Sequence, residues 1–86
     1  MMSGYIALGD ERLHYLSMGS GKKLLLAFHG YNNTAQIFQP FAHYLGREYT
    51  VISVDLPHHG KSEWPELRHF DVPQLKALIQ FLFEEY

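Results

Sequence analysis

With 86 residues, seven basic against nine acidic side chains and a formal net charge of −2, the chain is sized for one small domain and lacks the basic stripe that nucleic-acid binding needs. Hydrophobic residues make up 47% and aromatic residues 15% of it, a content that excludes disorder. No cysteine is present, which removes disulfide and thiolate chemistry and is compatible with a reducing compartment. The amino terminus reaches Asp10 and Glu11 without a basic region or an apolar core, so no signal peptide is expected. No apolar run approaches the ~20 residues that span a bilayer. The expectation is a cytoplasmic protein with neither membrane nor nucleic-acid partners.

Taken in order, Tyr5–Leu8 is a short β-type run and Glu11–Met18 a longer one, with Gly9-Asp10 fitting a two-residue hairpin turn in which Gly supplies the positive φ. Leu13, Tyr15 and Ser17 share one face of the second strand, and His14, Leu16 and Met18 the other. Gly19-Ser20-Gly21 then leads into Leu24-Leu25-Leu26-Ala27-Phe28, an unalternating run that stops at His29-Gly30. Such a run predicts a strand covered on both faces, as parallel strands between helix layers are. Ile37, Phe38, Phe41, Ala42 and Leu45 recur at helical spacing. Asn33 is the predicted cap, with Gln36 completing a capping box. Pro40 belongs in a first turn, so a one-turn lead-in near 34–39 precedes the regular helix, and Gly46 is the natural C′ residue. Tyr49–Val54 is the next strand, ending at Asp55, and strand–helix–strand over this distance is a right-handed parallel crossover. A long loop from Leu56 to about Phe70 follows, of a length that is often functional. Val72, Leu75, Leu78, Ile79, Leu82, Phe83 and Tyr86 then line one face of a helix capped by Asp71, with Pro73 in its first turn. The fold class is therefore α/β: a β-hairpin followed by a parallel βαβα unit, with strands near 5–8, 11–18, 23–28 and 49–55 and helices near 34–46 and 72–86, in a single domain over 1–86.

Chemistry-bearing residues gather at the carboxyl ends of two strands, where open α/β sheets bind ligands. These are His29-Gly30-Tyr31 and Asp55-Leu56-Pro57-His58-His59-Gly60-Lys61-Ser62. A Gly directly after a strand lets the backbone turn and frees the next amide, here that of Tyr31, to stabilise a developing oxyanion. The plain alternative is an ordinary strand-to-helix turn with His29 in a structural hydrogen bond. Asp55, His59 and Ser62 have the residue types of a catalytic triad, but a separation of seven positions along one loop does not easily hold nucleophile, base and acid in line. Gly60-Lys61-Ser62 is similar to the tail of a phosphate-binding loop. The full pattern wants Gly where Asp55 stands, and Pro65 and Glu66 interrupt the helix that should follow. Asp55, His58 and His59 invite a metal reading, but adjacent His residues on an extended loop point apart and no second cluster exists; no metal or cofactor is expected. Trp64 lines a substrate mouth or packs, with nothing in the sequence to choose.

Strand, His-Gly, helix, strand, then Asp-x-x-x-His-Gly-x-Ser resembles the amino-terminal part of an α/β-hydrolase, over residues 5 to 86 and about the first third of that fold. The resemblance implies a serine hydrolase acting on a small-molecule ester, thioester or related acyl substrate. Tyr31 would contribute its backbone amide to the oxyanion hole, and His29, Gly30 and Trp64 would be near the substrate. Asp55, His59, Gly60 and Ser62 would form a structural loop motif; this sequence has His58 where the family usually has Gly. The family's nucleophile motif, Gly-x-Ser-x-Gly, does not occur in these 86 residues: Tyr15–Gly19 and Gly60–Trp64 each carry only one of the two glycines. Glu84 and Glu85 oppose the dipole at a helix end that carries no stop signal, as at a real chain end or at a cut. The expectations are thus that the 86 residues alone are inactive, and that they self-associate or need a missing carboxyl-terminal part. The rival expectation is a non-catalytic fragment or interaction module that works only with a partner chain.

Overall fold

The computed structural model describes residues 1–64 and 70–86. Strands β1 (Met2–Leu8) and β2 (Glu11–Met18) form the expected hairpin. The Leu8↔Glu11 pair leaves Gly9-Asp10 as the turn, and Gly9 takes φ 67°. β1 starts three residues before the expected Tyr5, because its ladder runs on to Met2↔Ser17. Met2, Ser3 and Gly4 have no apolar alternation to announce this, since the extension rests on backbone pairing.

Strand β3 (Lys23–Phe28) leads through a 3₁₀ turn (Ala35–Phe38) and helix α1 (Gln39–Leu45) to β4 (Tyr49–Val54). β4 lies parallel to β3, with Leu24↔Thr50 and Phe28↔Val54 in register, and antiparallel to β2, with Tyr15↔Val54 and Met18↔Val51. The order across the sheet is β1-β2-β4-β3. The expectation of cover on both faces is not met in β3: among the described residues it pairs along one edge, with Leu24 to Ala27 half-buried and Phe28 38% exposed. The doubly covered strand is β4, whose Val51 to Val54 are all buried. Both runs are apolar and short, and periodicity does not say which strand will have neighbours on both edges.

The sheet separates two apolar clusters. On one face Ile6, Leu13, Ile52 and Val54 pack with Trp64 and with Leu78 and Leu82 of helix α2 (Val72–Glu85). On the other, Leu16, Met18 and Val51 pack with Ala35, and Phe38 and Ala42 lie against them. The alternation in β2 thus divides as its sequence predicts. Burying Leu78 and Leu82 contributes about 1.5–3 kcal/mol each. The remainder of the predicted α2 face is less engaged, with Val72 and Phe83 at 67% and 66% exposure. Asp71 is the N-cap and its N–H donates to Gln74 Oε1 at 2.9 Å, while Pro73 lies in the first turn.

Two local expectations are revised. Thr34, not Asn33, is the N-cap of the 3₁₀ turn, and no side chain of its own segment caps it; the Ala35 N–H goes to Asp55 Oδ1 at 2.7 Å instead. Gly46 is the C-cap of α1 and not the C′ residue, and it is right-handed, with φ −68°. Glycine suits it for closeness, since a Cβ there would lie 2.6 Å from the Ala42 carbonyl oxygen and 3.0 Å from Gly19 Cα. The interruption expected at Pro65 and Glu66 lies outside the described residues. Among the described residues no helix is long and apolar enough to cross a membrane.

Candidate functional site

The loops after β3 and β4 meet at the carboxyl end of the parallel pair, and Asp55 joins them. It stands one residue past β4 and is 3% exposed. Its N–H donates to the His14 carbonyl at 2.8 Å, carrying the β2–β4 ladder one step further. Its carboxylate accepts from the Ala35 N–H at Oδ1, and at Oδ2 from His14 Nδ1 at 2.7 Å and the Lys61 N–H at 3.1 Å. Ser62 Oγ donates to the Asp55 carbonyl and accepts the His14 N–H. One buried carboxylate thereby ties β2, the 3₁₀ turn and the Asp55–Ser62 loop together. Burial pushes the Asp55 carboxyl up, but the Ala35 and Lys61 amides, with His14, outweigh it and hold it below the usual carboxylate value.

Gly60 fits beside that carboxylate because it has no side chain. Its φ is +55°, and a Cβ would fall 2.2 Å from Asp55 Cγ. His58 is also left-handed, at φ 69°. Beyond Ser62 the loop returns to β2, where Arg12 and Glu63 exchange two backbone hydrogen bonds of 3.1 and 2.7 Å and pair their side chains. Trp64 then turns inward, 8% exposed and edge-on to Phe70 at 5.4 Å. It packs in the core cluster with Leu13, Leu78 and Leu82.

After β3, Gly30-Tyr31-Asn32-Asn33 closes with the Asn33 N–H donating to the Gly30 carbonyl at 3.2 Å. Asn32 has φ 63° while Tyr31 is not left-handed, which makes this a type II turn. The sequence pointed to Gly30 as the residue enabling the sharp turn; the left-handed residue is Asn32, and the Cβ side of Gly30 faces open space. Among the described residues the Tyr31 N–H makes no hydrogen bond, and the Tyr31 side chain is 85% exposed.

Two imidazoles cross between these loops. His29 Nδ1 meets the Gly30 carbonyl at 2.7 Å, and His29 Nε2 accepts the Leu56 N–H at 2.9 Å. His59 Nδ1 meets the Pro57 carbonyl at 2.9 Å, and His59 Nε2 accepts the Asn32 N–H at 3.2 Å. A carbonyl only accepts, so each ring carries its proton on Nδ1 and is neutral. The rings lie 4.8 Å apart, with Tyr31 edge-on to His59 at 6.0 Å. His29, expected near the substrate, is 5% exposed with both ring nitrogens taken, so it has no polar atom left for one. The loop triad is not assembled, because Ser62 Oγ and the His59 ring are engaged with other partners. The Lys61 amide, which a phosphate-binding loop would offer to an anion, goes to a carboxylate. His14 was missed as the partner of Asp55; its one signal was a polar residue on the face it shares with Leu16 and Met18.

No family model matches the chain. It is 38% identical over 63 residues, 72% of its length, to an (E)-2-((N-methylformamido)methylene)succinate hydrolase of Acinetobacter baylyi, of which it covers 24%. It is 31% identical over 75 residues to a pimeloyl-[acyl-carrier protein] methyl ester esterase of Proteus mirabilis, covering 87% of this chain and 27% of the other. Among solved structures, an α/β-hydrolase fold protein from Burkholderia ambifaria superposes with a TM-score of 0.71 at 25% identity, over 95% of this chain and 30% of that one. The chain belongs to the α/β-hydrolase fold superfamily, as an amino-terminal portion of that fold. It spans about a quarter of the length of the curated α/β-hydrolase relatives named here.

Proposed function

We propose that this chain supplies an oxyanion-hole amide, the Tyr31 N–H, to a serine hydrolase of the α/β-hydrolase fold acting on an ester, thioester or related acyl bond. The observation that carries the reading is the Tyr31 amide itself. It is unengaged among the described residues, it sits at the carboxyl end of a parallel strand, and the turn around it is tied down on both sides. A donor held in place before the reaction stabilises the developing oxyanion without reorganising. Open space on the Cβ side of Gly30 leaves room for an acyl carbon to approach. Hydrolases of acyl or related bonds among the relatives support the reaction class, and the absence of Gly-x-Ser-x-Gly from these residues means the nucleophile must come from other chain.

The turn itself provides the test. Tyr31 is the second residue of a type II turn, a position proline favours, so Tyr31→Pro removes the N–H while keeping the turn. In the protein expressed from its own reading frame, the expected loss in kcat on an activated acyl ester is ~10²–10³-fold, with the melting temperature unchanged or raised. A smaller loss with the fold intact refutes the assignment.

A second reading, that the chain acts only by docking to a partner chain, is favoured by the edge of β3, unpaired among the described residues, and by Phe28 and Phe41, both exposed beside it. An open, apolar strand edge is a template for association. Solution mass separates the two: a monomer that hydrolyses the ester excludes the docking-only role, and an inert oligomer excludes the hydrolase.

A further inference from the structure

We propose that His59 is a positioning residue for the Tyr31 amide, acting from the neighbouring loop through its hydrogen bond to Asn32. The inference rests on the oxyanion reading above. The Tyr31 N–H belongs to the peptide that ends in the Gly30 carbonyl, and peptide planes are rigid and trans here. His29 holds that carbonyl from within its own loop. The next peptide, Tyr31 to Asn32, is held by a residue 27 positions away: its N–H donates to His59 Nε2 at 3.2 Å. Two successive planes are thus fixed, one on each side of the Tyr31 Cα.

His59 can accept there because of what its other nitrogen does. The Pro57 carbonyl 2.9 Å from Nδ1 keeps the proton on Nδ1 and leaves Nε2 bare. The ring therefore needs two atoms in two roles, a donor at Nδ1 and an acceptor at Nε2. Asparagine can reproduce only the nearer donor, and glutamine can carry an oxygen out to the position of Nε2. A packing role would treat the two amides alike; a positioning role would not.

The test is steady-state hydrolysis of an activated acyl ester by the protein from its own reading frame, comparing His59→Asn, His59→Gln and Tyr31→Pro. Misplacing a catalytic group by about 1 Å costs up to ~10²-fold, so His59→Asn is expected to lower kcat by about tenfold or more with KM changed less than about twofold. His59→Gln is expected to recover most of that loss. In parallel, amide hydrogen exchange at Asn32 should accelerate in His59→Asn and slow again in His59→Gln. Normal turnover in His59→Asn while Tyr31→Pro is slow overturns the positioning role alone, as do equal losses in the Asn and Gln variants. Normal turnover in Tyr31→Pro, or none in the unsubstituted protein, overturns the oxyanion reading and this role with it.

Discussion

Two residues of the loop after β4 take left-handed backbone, and only one of them is glycine. Left-handed φ costs a side-chain-bearing residue roughly 1–2 kcal/mol, part of which glycine returns as chain entropy. At His58 no hydrogen bond or ring contact among the described residues offsets that cost, so His58→Gly should raise stability by up to about 1 kcal/mol in urea denaturation. At Gly60 the same conformation is joined by contact with Asp55. Gly60→Ala must displace the carboxylate from its donors, and the expected loss is at least ~2 kcal/mol. If both variants moved stability the same way, the φ assignments would be wrong. Asp55 also sets an acid limit. Its carboxyl titrates lower in the folded chain than unfolded, where the value is about 3.9. Its contribution is therefore fully present above about pH 4 and is lost as pH falls through the folded value. Melting temperatures measured from pH 7 to pH 2 should drop in that lower window, and Asp55→Asn should flatten the drop while lowering stability at pH 7.

Helix α2 narrows what its sequence advertises. Seven apolar positions mark its face, yet Leu78 and Leu82 are the two that are fully buried, whereas Phe83 is exposed. Leu82→Ala should cost about 2–5 kcal/mol and Phe83→Ala within about 0.5 kcal/mol, read as a difference in urea midpoint at constant slope. Equal losses would show that the helix packs through its wider face. The elements themselves were legible, because hairpin, crossover and capped helix each write a local signal: Gly9-Asp10, the spacing from Ile37 to Leu45, and Asp71 with Pro73. What was not legible concerns partners across the chain. The acceptor for the first N–H of the 3₁₀ turn is Asp55, 20 residues on; among the described residues the strand with two neighbours is β4, not the more uniformly apolar β3; and His29 spends both nitrogens on backbone groups. The motif residues of the site stood out as types and spacings, but which atom each one holds depends on loops that no window of sequence brings together.

At the scale of the whole chain, β3 has an edge unpaired among the described residues, beside an apolar groove of about 320 Å³ lined by Leu25, Ala27, Phe28, Phe38 and Phe41. The opposite side of β3 is bonded to β4, so the candidate site hangs on one strand pair and on the bonds that converge at Asp55. Those bonds reach residues 41, 20 and 6 positions away along the chain. This separation has a consequence in time. Closing long loops is costly before the contacts they allow are made, so the Asp55 cluster should assemble after the hairpin and the β3–β4 crossover, late on the folding route. Asp55→Asn should then leave the folding rate nearly unchanged and speed unfolding by about a hundredfold for a ~3 kcal/mol loss, measurable as a shift of only the unfolding limb of a stopped-flow chevron. A slowed folding limb would instead make the cluster part of the nucleus. With the expected limb shifted, the loops carrying His29, Tyr31 and His59 would be the last to lock during folding and the first to part under load.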